Sequence, residues 1–129
     1  MPKTKPKKTL LLAVLLLSAA LSAYALQQAD PEANFTVRII DNGTAVEITG
    51  YVGINRVVHI PDRIQGLPVT HIGNGAFWRN QLSNVSIPDS VTHIDMEAFA
   101  ENQLTSVSVP SGAFVRPRAF APEVEVTRR

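Results

Sequence analysis

Two histidines, His71 and His93, occupy the same setting, Val-Thr-His-Ile, 22 residues apart. If the chain repeats at that spacing, the two imidazoles lie side by side, where they could share a metal ion with Asp95 close in sequence. A solvent-exposed slot that accepts any polar residue explains the pair equally well, and two ligands without a third hold a metal weakly. The sequence is therefore read as carrying no metal site and no cofactor. His59 belongs to a different slot, aligned with Ser86 and Ser108. Nucleophilic and phosphate chemistry lack their signatures: there is no Gly-x-Ser-x-Gly, no His-Glu-x-x-His and no phosphate-cradling glycine loop. The acidic residues form no evident pair, so the chain is not read as an enzyme.

Composition narrows the classes further. The 129 residues contain no cysteine, which excludes disulfide scaffolds, thiolate metal centres and thiol catalysis. The formal charge of +1 is misleading. All the lysines (Lys3, Lys5, Lys7 and Lys8) fall in the first eight residues, and beyond them eight arginines face 11 acidic residues. A basic nucleic-acid-binding surface has no support in that balance.

The elements that must position any surface come next. The lysines precede an apolar run from Leu10 to Leu21 and then Ala23-Tyr24-Ala25, the pattern of a secretory signal peptide cleaved after Ala25. The run is short for a membrane span, and no later stretch is long and apolar enough to be one. Residues 1–25 are thus expected to be a signal peptide and 26–34 a polar linker, with 35–53 an N-terminal β-hairpin cap. In the hairpin, Phe35, Val37 and Ile39 alternate with polar residues, Asp41-Asn42-Gly43 supplies a turn, and Val46 and Ile48 alternate again. The register that pairs Val37 with Ile48, Arg38 with Glu47 and Ile39 with Val46 puts apolar residues on one face and opposite charges on the other.

Residues 54–129 repeat. At an offset of 22, Val69-Thr-His-Ile72 recurs as Val91-Thr-His-Ile94 and Ala76-Phe77 as Ala98-Phe99. Asn80-Gln81-Leu82 likewise recurs as Asn102-Gln103-Leu104, and Val85-Ser-Ile-Pro88 as Val107-Ser-Val-Pro110. The outer copies diverge, as terminal units that shield a stack from water should. The pattern predicts a mainly β solenoid with units of about 22 residues, a hairpin cap and a degenerate C-terminal cap. Its core is expected to hold Leu82, Leu104, Val85 and Val107, with Phe77, Phe99 and Phe120 stacked in a column. Pro88 should close its strand for want of an N–H, and Asn80 and Asn102 should satisfy backbone groups at the turns. Stacked strands should form one narrow parallel sheet.

The run from Ile60-Pro-Asp-Arg-Ile through Gly73-Asn-Gly-Ala-Phe77, followed by Asn-Gln-Leu-x-x-Val-x-Ile-Pro-x-Ser-Val-Thr-x-Ile, resembles the BspA-type leucine-rich repeat of bacterial surface proteins. The likeness extends from about Phe35 to Val109, and the last 20 residues depart from it, Phe114-Val-Arg-Pro117 standing where Val-x-x-Ile-Gly is expected. It implies a secreted, outer-surface or periplasmic binding protein, with an extracellular or cell-surface protein such as a host matrix protein as partner.

On such a solenoid the partner-facing row is expected to comprise His59, Ser86, Ser108 and Glu125, flanked by Arg56, Ser83, Asn84, Thr105 and Ser106. Small hydroxyl residues offer few anchors, because binding hot spots favour Trp, Tyr and Arg. Trp78, beside Arg79, is a candidate anchor, although packing over the hairpin or a loop is the favoured expectation for its ring. Arg116, Arg118, Arg128 and Arg129 are read first as charges that keep the last strand edge from pairing with another chain. The alternatives are a cell-envelope protein that self-associates through its solenoid ends, or the remnant of a longer adhesin.

Overall fold

The computed structural model describes residues 28–129, so the proposed signal peptide lies outside the described residues. The chain winds as a β-solenoid of about 4 turns with a period near 22 residues. Among the described residues, ten short strands build it: β1 (Phe35–Ile40), β2 (Ala45–Tyr51), β3 (Val57–His59), β4 (Arg63–Ile64), β5 (Leu67–Ile72), β6 (Asn84–Ser86), β7 (His93–Ile94), β8 (Ser106–Val109), β9 (Phe114–Val115) and β10 (Glu125–Arg128). Proline closes successive strands after Ile60, Ile87 and Val109, where a residue without an N–H ends the ladder.

Two kinds of sheet result. One is continuous in the order β1-β2-β5-β7-β9, with β4 pairing onto β5. The other side carries two separate parallel pairs, β3 with β6 and β8 with β10. This corrects the expectation of one unbroken sheet bearing the partner-facing row. The longest ladder is the one that carries the histidines, because the hairpin feeds β2 directly into it.

The hairpin pairs in the register derived from sequence: Val37↔Ile48, Arg38↔Glu47, Ile39↔Val46 and Ile40↔Ala45. Its faces differ from the simple alternation. β2 lies between β1 and β5, so Val46 and Ile48 are fully buried and Glu47 is buried as well. Ile39, on the outermost strand, has no layer above it and remains 53% exposed. The buried Glu47 carboxylate is compensated by Arg38, whose Nε donates to Oε2 at 2.8 Å. Gly73 makes room for it, since a Cβ there would stand 2.7 Å from Oε1.

Inside, the aromatic column runs Phe77–Phe99–Phe120, with centroids 4.9 and 5.0 Å apart and planes within 10°. Tyr51 continues it at 5.5 Å from Phe77, and Phe35 packs on Tyr51 at 5.4 Å, so the hairpin closes the N-terminal end of the column. Gly53 accommodates the Tyr51 ring, whose hydroxyl would collide with a Cβ at that position. Leu82, Leu104, Val85 and Val107 are all buried around this column.

At the turn after it, Asn102 accepts from the N–H groups of Asn80 and Leu82 at 3.1 and 2.9 Å. Its amide donates to the carbonyls of Phe77, Phe99 and Ala100 at 2.7, 3.0 and 3.2 Å. One side chain thus satisfies backbone groups from two consecutive units.

The segment read as a polar linker is fastened at Asp30. Its N–H donates to the His59 carbonyl at 2.8 Å, and its carboxylate accepts from His59 N–H at 2.7 Å and Asn55 Nδ2 at 2.8 Å. These bonds cover the outer edge of β3, a role that no spacing or periodicity in the sequence announces.

Candidate binding surface

The residues expected to form a partner face are only partly assembled. His59 pairs with Ser86 across β3 and β6, and Asn84 with Val57. Across β8 and β10, Ser108 pairs with Thr127, and Glu125 pairs with Ser106. Glu125 therefore leaves the His59–Ser86–Ser108 row, and Thr127 takes its place. Val126, six residues after Phe120, and not Val124, reaches the position of Val107, which stands eight residues after Phe99.

Several of the flanking residues already have intramolecular duties. Arg56 reaches Gln81 Oε1 at 3.0 Å, and its carbonyl accepts from Ser83 N–H at 2.8 Å. Thr105 accepts from Glu125 N–H at 2.9 Å, and the Ser108 carbonyl accepts from Arg129 Nη1 at 2.8 Å. Arg56 and His59 share a shallow cleft of 480 Å³ with Asp30 and Asn55. The exposed tips of Ser83, Asn84, Ser86, Ser106 and Ser108 form a hydrophilic surface without a large anchor.

Trp78 supplies what that surface lacks. It lies on the turn after β5, 47% exposed, with the Arg79 guanidinium 4.4 Å from its ring centroid. The ring faces the guanidinium of the arginine beside it and leaves about half of the residue open to solvent. Corresponding positions in later units are Ala100 and Ala121, so the indole stands above a flank of small side chains. The Arg79 backbone is fixed by its N–H to the Ala100 carbonyl at 3.2 Å, with φ at 55°.

The C-terminal arginines are structural. Arg128 Nη1 donates to the carbonyls of Ala113 and Ser111 at 2.8 and 3.1 Å and approaches that of Pro110 at 3.5 Å. Arg129 pairs with Asp89 at 2.9 Å and also donates to the Ile87 carbonyl. Arg116 pairs with Asp95 at 2.8 Å. These side chains tie the last turn together instead of standing free at the strand edge, so a charge reversal at Arg128 tests stability before it tests association.

His71 and His93 pair in register and stack, centroids 4.4 Å apart with planes 5° from parallel. Phe114 extends the row at 6.1 Å from His93 and is itself 55% exposed. Burial first, and then the neighbouring His93, push the His71 pKa below its ordinary 6.5, against the opposite pull of Asp41, Glu47 and Asp95. Between 6.5 and that lower folded value the unfolded chain binds more protons, so His71 makes the fold lose stability as pH falls below about 6.5. Thermal melts between neutral and mildly acidic pH should show this slope, and His71→Gln should flatten it; an unchanged slope would exclude His71 as its source.

The family profile described as "BspA type Leucine rich repeat region (6 copies)" matches residues 58–124. No curated protein sequence matches the chain. Among solved structures, the T. pallidum Leucine Rich Repeat protein is 18% identical, with a TM-score of 0.49, covering 68% of this chain and 64% of that one. A leucine-rich repeat protein from Bacteroides ovatus is 19% identical, with a TM-score of 0.38, covering 80% of this chain and 41% of that one. The chain thus spans less than two thirds of the length of either. The profile match takes in more than half of the residues, including both Val-Thr-His-Ile units and all three phenylalanines of the column, and the chain belongs to the BspA-type leucine-rich repeat family.

Proposed function

We propose that this chain is an exported protein-interaction module that contacts an extracellular or cell-surface protein, with the Trp78–Arg79 flank as its anchor. Membership of a leucine-rich repeat family suggests a protein-interaction module in general terms. The observation that carries the finer reading is the half-exposed indole stacked with a guanidinium on a backbone that the next unit fixes. Trp and Arg are the residue types over-represented at binding hot spots, and a rigid turn presents them with little ordering cost. The hydrophilic strand residues around Ser86 and Ser108 then serve as a polar surround, since they lack the area for an anchor.

Export is supported by the lysine-rich start, the short apolar run and Ala23-Tyr24-Ala25. Among the described residues, no helix is long and apolar enough to cross a membrane.

The test is biolayer interferometry of the purified protein against immobilised extracellular-matrix proteins and whole cells. Trp78→Ala should weaken any saturable interaction by about 2 kcal/mol, roughly thirtyfold, while leaving the melting temperature unchanged. Binding that survives Trp78→Ala but is lost with Ser86→Arg would place the contact on the strand face and overturn the assigned anchor.

A further inference from the structure

We propose that His71 and His93 form a two-imidazole site for a borderline divalent cation of the Cu(II), Ni(II) or Zn(II) class on the outer face of the continuous sheet. The stack alone would be consistent with side chains merely repeating along a ladder. The hydrogen-bonding state of the rings carries the argument further.

Thr92 Oγ1 lies 3.1 Å from the Thr70 carbonyl and 2.9 Å from His93 Nδ1. A hydroxyl has one proton; with that proton on the Thr70 carbonyl, the contact with His93 runs from Nδ1–H to the hydroxyl oxygen. In the neutral ring this leaves Nε2 as a bare lone pair. His71 has the same local partner, Thr70 Oγ1 at 2.8 Å from Nδ1, which can accept in the same sense. Among the described residues, neither Nε2 has a hydrogen-bond partner.

The Val-Thr-His-Ile repeat therefore does what an outer-shell partner does at a histidine ligand. It holds the ring by one nitrogen and leaves the other available. The backbones are fixed by the His71↔His93 and Ile72↔Ile94 pairs of a parallel ladder. The rings are parallel and 4.4 Å apart, so their lone pairs lie in parallel planes. Metal–nitrogen bonds of about 2.0–2.1 Å to one ion require each ring to turn out of the stack about its Cβ–Cγ bond until both lone pairs point at it.

Glu47 is the register neighbour of His71, and Asp95 follows His93 by two residues. Both carboxylates are held by arginines, Arg38 and Arg116. Among the described residues, no group of three or more potential ligands gathers at any point, so the remaining coordination positions belong to water or an exogenous ligand. Two neutral imidazoles suit copper, nickel and zinc, with copper preferred on the general affinity order.

The purified protein should be titrated with Cu(II) alone and followed by calorimetry and electron paramagnetic resonance. One ion per chain is expected, with hyperfine coupling to two imidazole nitrogens in the unsubstituted protein. His71→Ala and His93→Ala should each weaken binding by about tenfold or more, and Thr92→Val, which keeps the shape but removes the Nδ1 partner, by about tenfold. His59→Ala, on the other side of the solenoid, should leave binding unchanged. Coupling to a single imidazole, or copper affinity retained when both His71 and His93 are replaced, would overturn the site. The hyperfine measurement needs no variant, so it decides the matter even if a substitution disturbs folding.

Discussion

Replacing Phe99 by alanine should destabilise the fold by about 3–5 kcal/mol. The ring is essentially inaccessible to solvent and is sandwiched between Phe77 at 4.9 Å and Phe120 at 5.0 Å. Its removal loses two stacking contacts and opens a cavity that the ladders on either side cannot collapse to fill, because each is held at the inter-strand spacing. For a domain of this size, that loss approaches the whole stability. Chemical denaturation should show the midpoint falling sharply. Phe120→Ala should cost less, because that ring has only Phe99 beside it in the column, and the exposed Phe114→Ala should cost least. Equal effects at the three positions would contradict the column as the centre of the core.

The second large effect is expected at Asn102. Asn102→Ala strips partners from two N–H groups and three carbonyls across consecutive units. Unsatisfied buried groups cost about 1–3 kcal/mol each, and water reaching this part-buried turn recovers some of that, so a net loss of about 2–3 kcal/mol is expected. Asn80→Ala is the internal comparison. Its side-chain amide makes one weaker contact, to the Tyr51 carbonyl at 3.3 Å, and its loss should cost about 1 kcal/mol or less. If denaturation finds the two substitutions equivalent, the bridging role of Asn102 fails. Repeat position alone does not distinguish these asparagines. What differs is what each meets: Asn102 follows a regular unit, whereas Asn80 abuts the hairpin.

The strand face is fixed by ladders and carries small hydroxyls, while the Trp78–Arg79 pair stands on a turn held by the next unit. Of the arginines that look like a free basic cluster in the sequence, Arg128 and Arg129 donate to backbone carbonyls and Arg116 pairs with Asp95.

The solenoid, its period, the hairpin register and the phenylalanine column were legible in the residue pattern alone. Each follows from local alternation or from identity at a fixed offset, and a repeat forces equivalent residues to lie one above another whatever the rest of the chain does. Tertiary structure decided the remainder. Asp30 capping β3, Tyr51 and Phe35 closing the column, and Arg128 binding carbonyls are single residues acting across long sequence separations, with no period to reveal them. Glu125 moved to the Ser106 row because the chain runs two residues further from Phe120 before a valine meets Val107, and a two-residue change of register in a strand preserves its alternation while changing every partner. Trp78 stayed exposed because the hairpin packs on Phe77 instead, a choice between two neighbouring aromatic residues that only the assembled core could make.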